Sequence, residues 1–237
     1  MSYEIQVQPY EKVSLIYDHL MSHIDYAEWA LYITEMIDLH HPNAKNLCDL
    51  ACGNGLFLQH FAKRFDSLGL ELSPKMANDA LTLLREANVS ILVGDMVSSP
   101  LPKKFDVIVC LFDSINYLPN EHLVLQFLNH VAQYLSADGV FIFDVATELV
   151  CQEHFGDYTE WDTVDDGLSY QRFCSYDPSK RVQKSTFIIR EKEHIFKEVH
   201  EQKIYTDVEI LNLITQSELE FVASYGDFSL DGLDDET

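Results

Sequence analysis

The chain is short of positive charge. It has 16 lysines and arginines against 39 aspartates and glutamates, for a formal net charge of −23. A surface so negative repels phosphate backbones, which disfavours nucleic acid as a partner or substrate. The nearest basic clusters are Lys180-Arg181 with Lys184, and Arg190 with Lys192. They fall among acids and read as solvated strand faces. Long apolar runs are also lacking. None reaches the length of a membrane span, and the N-terminus, with Glu4 and Glu11, shows no secretory-leader pattern. Cysteine is sparse, with five residues and no Cys-x-x-Cys pair. Three of them (Cys48, Cys52, Cys110) lie in or beside apolar strand candidates. That argues against a disulfide framework or a zinc site, and for reduced thiols in a cytoplasmic protein. No His/Asp/Glu cluster reads as a metal site either. The adjacent His40-His41 would point about 100° apart on a helix. His154, where the insertion begins, could serve as a base, and a lone histidine there is more often simply exposed.

Glycine is scarce as well, at nine residues, yet two of the nine stand at 53 and 55. They follow an apolar strand, Asn46–Ala51, and precede Gly55–Arg64, whose apolar spacing predicts a helix. A strand, a glycine turn and a helix N-terminus together make a nucleotide-type site. The glycines let the backbone turn tightly and approach a ligand with no Cβ in the way. A dinucleotide fingerprint would require glycine or alanine at 58, where Leu58 stands, and no Walker lysine follows. Instead Asp49 lies four residues before Gly53. A carboxylate there suits a ligand carrying an ammonium and a sulfonium, not a pyrophosphate.

These residues resemble motif I of the class I S-adenosylmethionine (SAM) dependent methyltransferases, with Ala51 in place of its first glycine. Three further stretches follow in register. Ser67–Leu72 reads as a strand whose acid, Glu71, lies 22 residues after Asp49, where a doubly wound fold places a ribose-binding carboxylate. Ser73 is its following helix's N-cap and Pro74 the first helical residue. Ser90–Met96 reads as a third strand and its exit. Phe105–Phe112 reads as a fourth strand, followed by Asp113–Leu118. The resemblance implies that Asp49, Ala51, Gly53, Gly55, Glu71, Leu72, Asp95, Met96, Leu111 and Phe112 line the cofactor. It also implies that Asp95 accepts from the adenine amino group while Met96 packs on the ring. Each acid has a plainer reading as a cap or a strand-end charge.

The segment Tyr17–Met21 with Asp25–Trp29 is similar to the N-terminal cap of small-molecule N-methyltransferases of this class. The similarity implies that Tyr17 approaches the sulfonium and helps position it, as an electron-rich ring would any bound cation. Trp29 reads equally as a site or a core residue. Tyr117 follows the fourth strand, where related amino-sugar enzymes carry a group that contacts the acceptor. Ordinary loop packing is its other reading.

The remaining pattern predicts two helices over residues 10–40, a helix over 121–135, a turn at Asp138-Gly139 into the strand Val140–Val145, and a last helix at Asp207–Gln216 leading to the strand Leu219–Tyr225. Between these, Gly167–Tyr176, Arg181–Arg190 and His194–Tyr205 read as three antiparallel strands, the first two joined by the turn Asp177–Lys180. The expected fold is therefore α/β, a doubly wound and mostly parallel Rossmann-like sheet over 1–150 and 206–237. It carries a helical cap at about 10–40 and an inserted antiparallel lid over 151–205. The lid reads as the acceptor wall or as a dimerisation surface. The tail with Asp231, Asp234, Asp235 and Glu236 is too acidic for the antiparallel seventh strand. The sheet lacks that strand or the chain stops before it, and the bare edge would be a second place for a homodimer contact.

The resemblance implies a SAM-dependent methyltransferase, yielding S-adenosylhomocysteine and acting on a small molecule. Nitrogen is the favoured acceptor atom, because a neutral amine needs no strong base or metal. The alternatives are a non-catalytic SAM-binding subunit and an enzyme that uses the cofactor for a different group transfer.

Overall fold

The computed structural model describes residues 4–226 and 228–230. In chain order it contains β1 (Glu4–Val7), α1 (Tyr17–Leu20), α2 (Tyr26–His40), β2 (Asn46–Leu50), β3 (Asp66–Glu71), α3 (Pro74–Leu83), β4 (Val89–Val93) and β5 (Phe105–Cys110). It continues with α4 (Glu121–Tyr134), β6 (Leu135–Phe143), α5 (Glu148–His154), β7 (Asp157–Asp165), β8 (Leu168–Asp177), β9 (Val182–Glu191), β10 (His194–Lys203) and α6 (Asp207–Gln216). The chain divides into two units by its internal contacts.

One unit gathers residues 25–112, 121–144 and those from 207 onward. Its sheet runs β4-β3-β2-β5-β6 with every neighbouring pair parallel. Strands covered on both faces read as continuous apolar runs. Accordingly Leu47, Cys48 and Leu50 of β2 and Val107, Ile108, Val109 and Cys110 of β5 are all buried. Ile33 and Ile37 of α2 pack in one cluster with Leu47, Val107 and Val109. Ser73 caps α3 by accepting from the Met76 N–H at 3.4 Å, and Pro74 occupies the first turn where its missing N–H costs nothing. The strand order reverses between β2 and β5, and open α/β sheets bind ligands outside the carboxyl ends at such a point.

The other unit gathers residues up to Ile24, 113–120 and 145–206. Its sheet runs β1-β10-β9-β8-β7. The four later strands are antiparallel neighbours, and β1 joins β10 in parallel. The Asp177–Lys180 turn forms as an Asx turn, with Asp177 Oδ1 accepting from the Ser179 N–H at 3.0 Å.

Several elements differ from the sequence reading. Gly55–Arg64 is not a regular helix. Gln59 donates to the Gly55 carbonyl in α-helical spacing, while His60 and Phe61 donate to Phe57 and Leu58 three residues back. Only Leu58–His60 is a formal 3₁₀ turn. The apolar spacing is still used, since Phe57, Phe61 and Phe65 are all buried. Asp138-Gly139 makes no turn. It lies inside β6, where the register with β5 shifts between Phe105 and Val107, so the residue pair is absorbed as an irregularity of the strand. Residues 219–224 form no strand, and Phe221 and Val222 are exposed. One further strand, β7, and the helix α5 lie in the insertion beyond the three strands expected. The cap expected over residues 10–40 is divided. α2 belongs with the parallel sheet, whereas residues up to Ile24 go with the mixed sheet because β1 pairs there. The acidic tail from Asp231 lies outside the described residues. All five cysteines are buried and free of disulfide partners. No helix among the described residues is long and apolar enough to cross a membrane.

Candidate cofactor-binding site

The carboxyl ends of β2, β3, β4 and β5 bring most of the sequence-selected residues together. Asp49 sits within β2 and is buried. Burial pushes its carboxyl up to about 8, and the neighbouring Glu71 charge adds to the rise. Glu71 ends β3 and is also buried, which raises its carboxyl as well, against opposing backbone hydrogen bonds. Its two oxygens divide the work: Oε2 accepts the Gly53 N–H at 2.9 Å and Oε1 the Ser73 N–H at 2.7 Å. Each carboxylate oxygen offers two lone pairs. The Leu72 amide bonds to the carboxylate as well, so the glycine turn and the start of α3 are fixed and the remaining capacity suits a ribose hydroxyl.

Between these acids the backbone runs in the left-handed region at Ala51 (φ +70°), Gly53 (+57°) and Gly55 (+83°). Ala51 stands where the resembled motif has glycine, and its conformation costs an alanine about 1–2 kcal/mol. The turn is held there by the Ala51 and Cys52 N–H groups, which both donate to the Leu70 carbonyl at 2.8 and 3.0 Å. The two glycines serve different ends. A Cβ at Gly53 would meet only Met76 Cε at 3.5 Å, so that position is open and its glycine answers to the backbone. A Cβ at Gly55 would come within 2.9 Å of Leu84 and 3.1 Å of Ala80 Cβ. Gly55 therefore lets the turn close onto α3.

Leu72 follows Glu71 with 68% of its surface exposed, an apolar side chain at the rim. Asp95 begins a tight turn after β4: its Oδ1 accepts the Val97 N–H at 2.7 Å and its own N–H donates to Ser99 Oγ at 2.8 Å. The cap reading of Asp95 is thus realised, with its second oxygen left over. Met96 Sδ lies 4.0 Å from Cys110 Sγ at the end of β5. Leu111 is buried, and Phe112 (φ +57°) is followed by a second left-handed residue, Asp113 (φ +53°). The Phe112 ring lies 5.0 Å from Trp29, 5.6 Å from Tyr26 and 5.7 Å from Phe57, centroid to centroid. Trp29 thus stands in an aromatic cluster that includes a candidate site residue.

Tyr17 and Tyr117 fall in the other unit. Tyr17 opens α1 and Tyr117 ends the short turn Ser114–Tyr117. Both rings pack around Tyr10, at 6.1 and 5.8 Å. His154 is exposed in the last turn of α5.

Sequence reasoning missed two supports of the parallel-sheet site. Asp144 accepts the Phe112 N–H at 3.0 Å and so holds the left-handed exit of β5. Its position just past the last apolar strand was the available signal. Gly69 sits opposite Asp49 in the ladder, and any Cβ there would come within 2.5 Å of Cys52 Sγ.

The residues present fit SAM. Two buried acids that repel one another are relieved by a ligand bearing positive charge, and the left-handed glycine turn lies between them. The comparisons with known proteins agree. A family described as "Methyltransferase domain" matches residues 47–139. The Bacillus subtilis (strain 168) protein named "Putative methyltransferase YqeM" is 30% identical over 203 residues, 83% of this chain and 80% of that protein. A dTDP-3-amino-3,4,6-trideoxy-alpha-D-glucopyranose N,N-dimethyltransferase of Streptomyces venezuelae is 36% identical over 121 residues, so the match spans about half of each (51% and 50%). Among solved structures, a SAM-dependent methyltransferase of Clostridium acetobutylicum shares the fold with a TM-score of 0.81 at 24% identity, covering 96% of this chain and 95% of that one. The chain belongs to the class I SAM-dependent methyltransferases.

Proposed function

We propose that this enzyme methylates the nitrogen of a small-molecule amine, and that amino sugars carried on a nucleotide are the class to test first. The observation that carries this reading is the similarity to amino-sugar N,N-dimethyltransferases over about half the chain. The cofactor supplies a methyl already activated on a sulfonium, with a neutral thioether as leaving group. The chain's residues then have to bind, align and keep water out.

In this reading Asp49 takes the cofactor's ammonium, and binding draws its carboxyl into the ionised form. Glu71 uses its remaining lone pairs for the ribose hydroxyls. Asp95 offers its second oxygen to the adenine amino group, with Leu72 and Met96 packing on the ring. Gly53 brings its backbone close to the methionyl part, with Ala51 completing the turn and Gly55 holding it against α3. Leu111, Phe112 and Trp29 form the apolar wall that excludes water. Tyr17 faces the sulfonium and Tyr117 contacts the acceptor.

The test is calorimetric titration with SAM, followed by turnover to S-adenosylhomocysteine with a panel of amines beside their hydroxyl counterparts. Methylation of the amines alone is expected. Turnover of the hydroxyl compounds with no turnover of the amines would sink the nitrogen assignment.

A further inference from the structure

The mixed-sheet unit holds two buried polar side chains, Glu198 and His200, that the reading above leaves unused, in line with the half-buried Tyr117 and Tyr10. Glu198 has no exposed surface and His200 only 4%. His200 Nε2 lies 2.8 Å from Glu198 Oε1, and His200 Nδ1 lies 2.8 Å from the Tyr117 hydroxyl. The Tyr117 hydroxyl in turn lies 2.9 Å from that of Tyr10. Three stretches remote in sequence meet in this line.

Glu198 is fixed from its other side. Its Oε2 accepts the backbone N–H groups of Lys12 at 2.7 Å and Val13 at 3.0 Å, and its Oε1 accepts that of Tyr10. A clamp on residues 10–13 would require only the carboxylate. It gives no reason for an imidazole and two phenols to stand in hydrogen-bonded sequence behind it. Burying such groups is costly unless each is satisfied.

The donor pattern is constrained. A carboxylate only accepts, so His200 Nε2 carries a proton. The neutral ring then accepts the Tyr117 proton at Nδ1, and the doubly protonated ring donates to the Tyr117 oxygen. Either arrangement satisfies every contact, so one proton can enter the line without breaking it.

We propose that the Glu198–His200 pair positions Tyr117 and draws off, through its hydroxyl, the proton that an acceptor ammonium must lose before its nitrogen can be methylated. This rests on the assignment of Tyr117 as the acceptor contact. In the step, one N–H bond of the ammonium breaks and its electrons return to nitrogen as the lone pair that methylation would need. The released proton forms a new O–H bond on Tyr117 while the original hydroxyl proton moves to His200 Nδ1. The imidazolium is left facing the Glu198 carboxylate. Burial, with the Asp113 charge adding to it, holds the Tyr117 hydroxyl strongly in its protonated form. The two transfers therefore run together and no free phenolate forms. The titratable groups facing Tyr117 are Tyr10, Tyr17, Asp113, Arg172 and His200, and those facing His200 are Glu198, Tyr10 and Tyr117.

The experiment compares wild type, His200→Gln and Tyr117→Phe, with dTDP-3-amino-3,4,6-trideoxy-α-D-glucopyranose and simple primary amines as probes. For His200→Gln, kcat should fall by roughly 10²-fold near about pH 6.5, a typical general-base contribution. The deficit should close as pH rises to about 9.5, where the amine arrives already neutral. SAM affinity should not change. A deficit equal at both pH values overturns the relay while leaving Tyr117 as an acceptor contact, provided Tyr117→Phe is impaired. Unimpaired Tyr117→Phe removes both, as does wild type that turns over no amine. A readout independent of the acceptor is ¹⁵N-histidine NMR of the wild type. It should show the His200 proton on Nε2 with Nδ1 bare, and a neutral ring protonated at Nδ1 overturns the proposal.

Discussion

The two sheets bury different things. In β5 of the parallel sheet, Val107, Ile108, Val109 and Cys110 are buried in an unbroken run. In β9 and β10 of the mixed sheet the buried residues alternate, and Gln183, Ser185, Glu198 and His200 lie among them beside Phe187 and Ile189. The parallel sheet is a dry scaffold whose polar groups sit at its strand ends. The mixed sheet carries its polar groups on the face it hides, where every one of them must find a partner.

That contrast can be broken in a set order. Gly53→Val should abolish SAM binding in titration, because a β-branched residue cannot hold φ +57° and its side chain enters the turn. Wild-type affinity in that variant would move the cofactor away from this turn. Glu71→Ala should weaken SAM binding by ~1–3 kcal/mol, through lost bonds to the ribose and the orphaned Gly53 and Ser73 amides. Affinity equal to wild type would place the ribose elsewhere.

On the other sheet's side, Asn116→Ala should cost ~1–3 kcal/mol in denaturant unfolding with little change in SAM affinity. Asn116 is fully buried, donates to the Lys203 carbonyl at 2.8 Å and accepts the Ala146 N–H at 2.8 Å. A graded effect, spread over several pH units, belongs to Asp49. Its folded carboxyl titrates at about 8 against an ordinary 3.8. Between those values the folded chain holds a proton that the unfolded chain has lost. Stability therefore falls as pH rises through that window, by up to about 1.4 kcal/mol per unit. SAM affinity should rise over the same range as the carboxylate forms. Asp49→Asn should flatten both trends, and unchanged slopes would assign them to another group. Last, exposed His154→Ala should alter stability by less than ~0.5 kcal/mol and leave turnover intact.

The parallel sheet was legible because its information is local. Strand, turn and acid lie within a few residues of one another at Asp49–Gly55, Ser67–Glu71 and Val89–Asp95, so a linear reading recovers them. The same reading failed at Gly55–Arg64, where the spacing of three phenylalanines is shared by an α-helix and by a chain of tighter turns. It also failed at Leu219–Tyr225, where apolar residues lie exposed. The mixed sheet hid more. Its alternation gave three strands, yet β1 comes from the far N-terminus and pairs through only four residues, Glu4 to Val7. Nothing near Glu198 announces that its partners are the amides of residues 10–13. A buried polar network is set by contacts between remote stretches, and single-chain periodicity carries no trace of it.

The buried thiols have a practical use. Burial raises Cys48, Cys52 and Cys110 well above the ordinary thiol range, and Cys151 to about 11, so none offers much thiolate to a reagent while the fold is closed. Three of the cysteines belong to the parallel sheet's unit and two, Cys151 and Cys174, to the other. Each unit therefore carries its own clock. The rate at which an alkylating reagent reaches each set reads how often that unit opens, with no label to introduce.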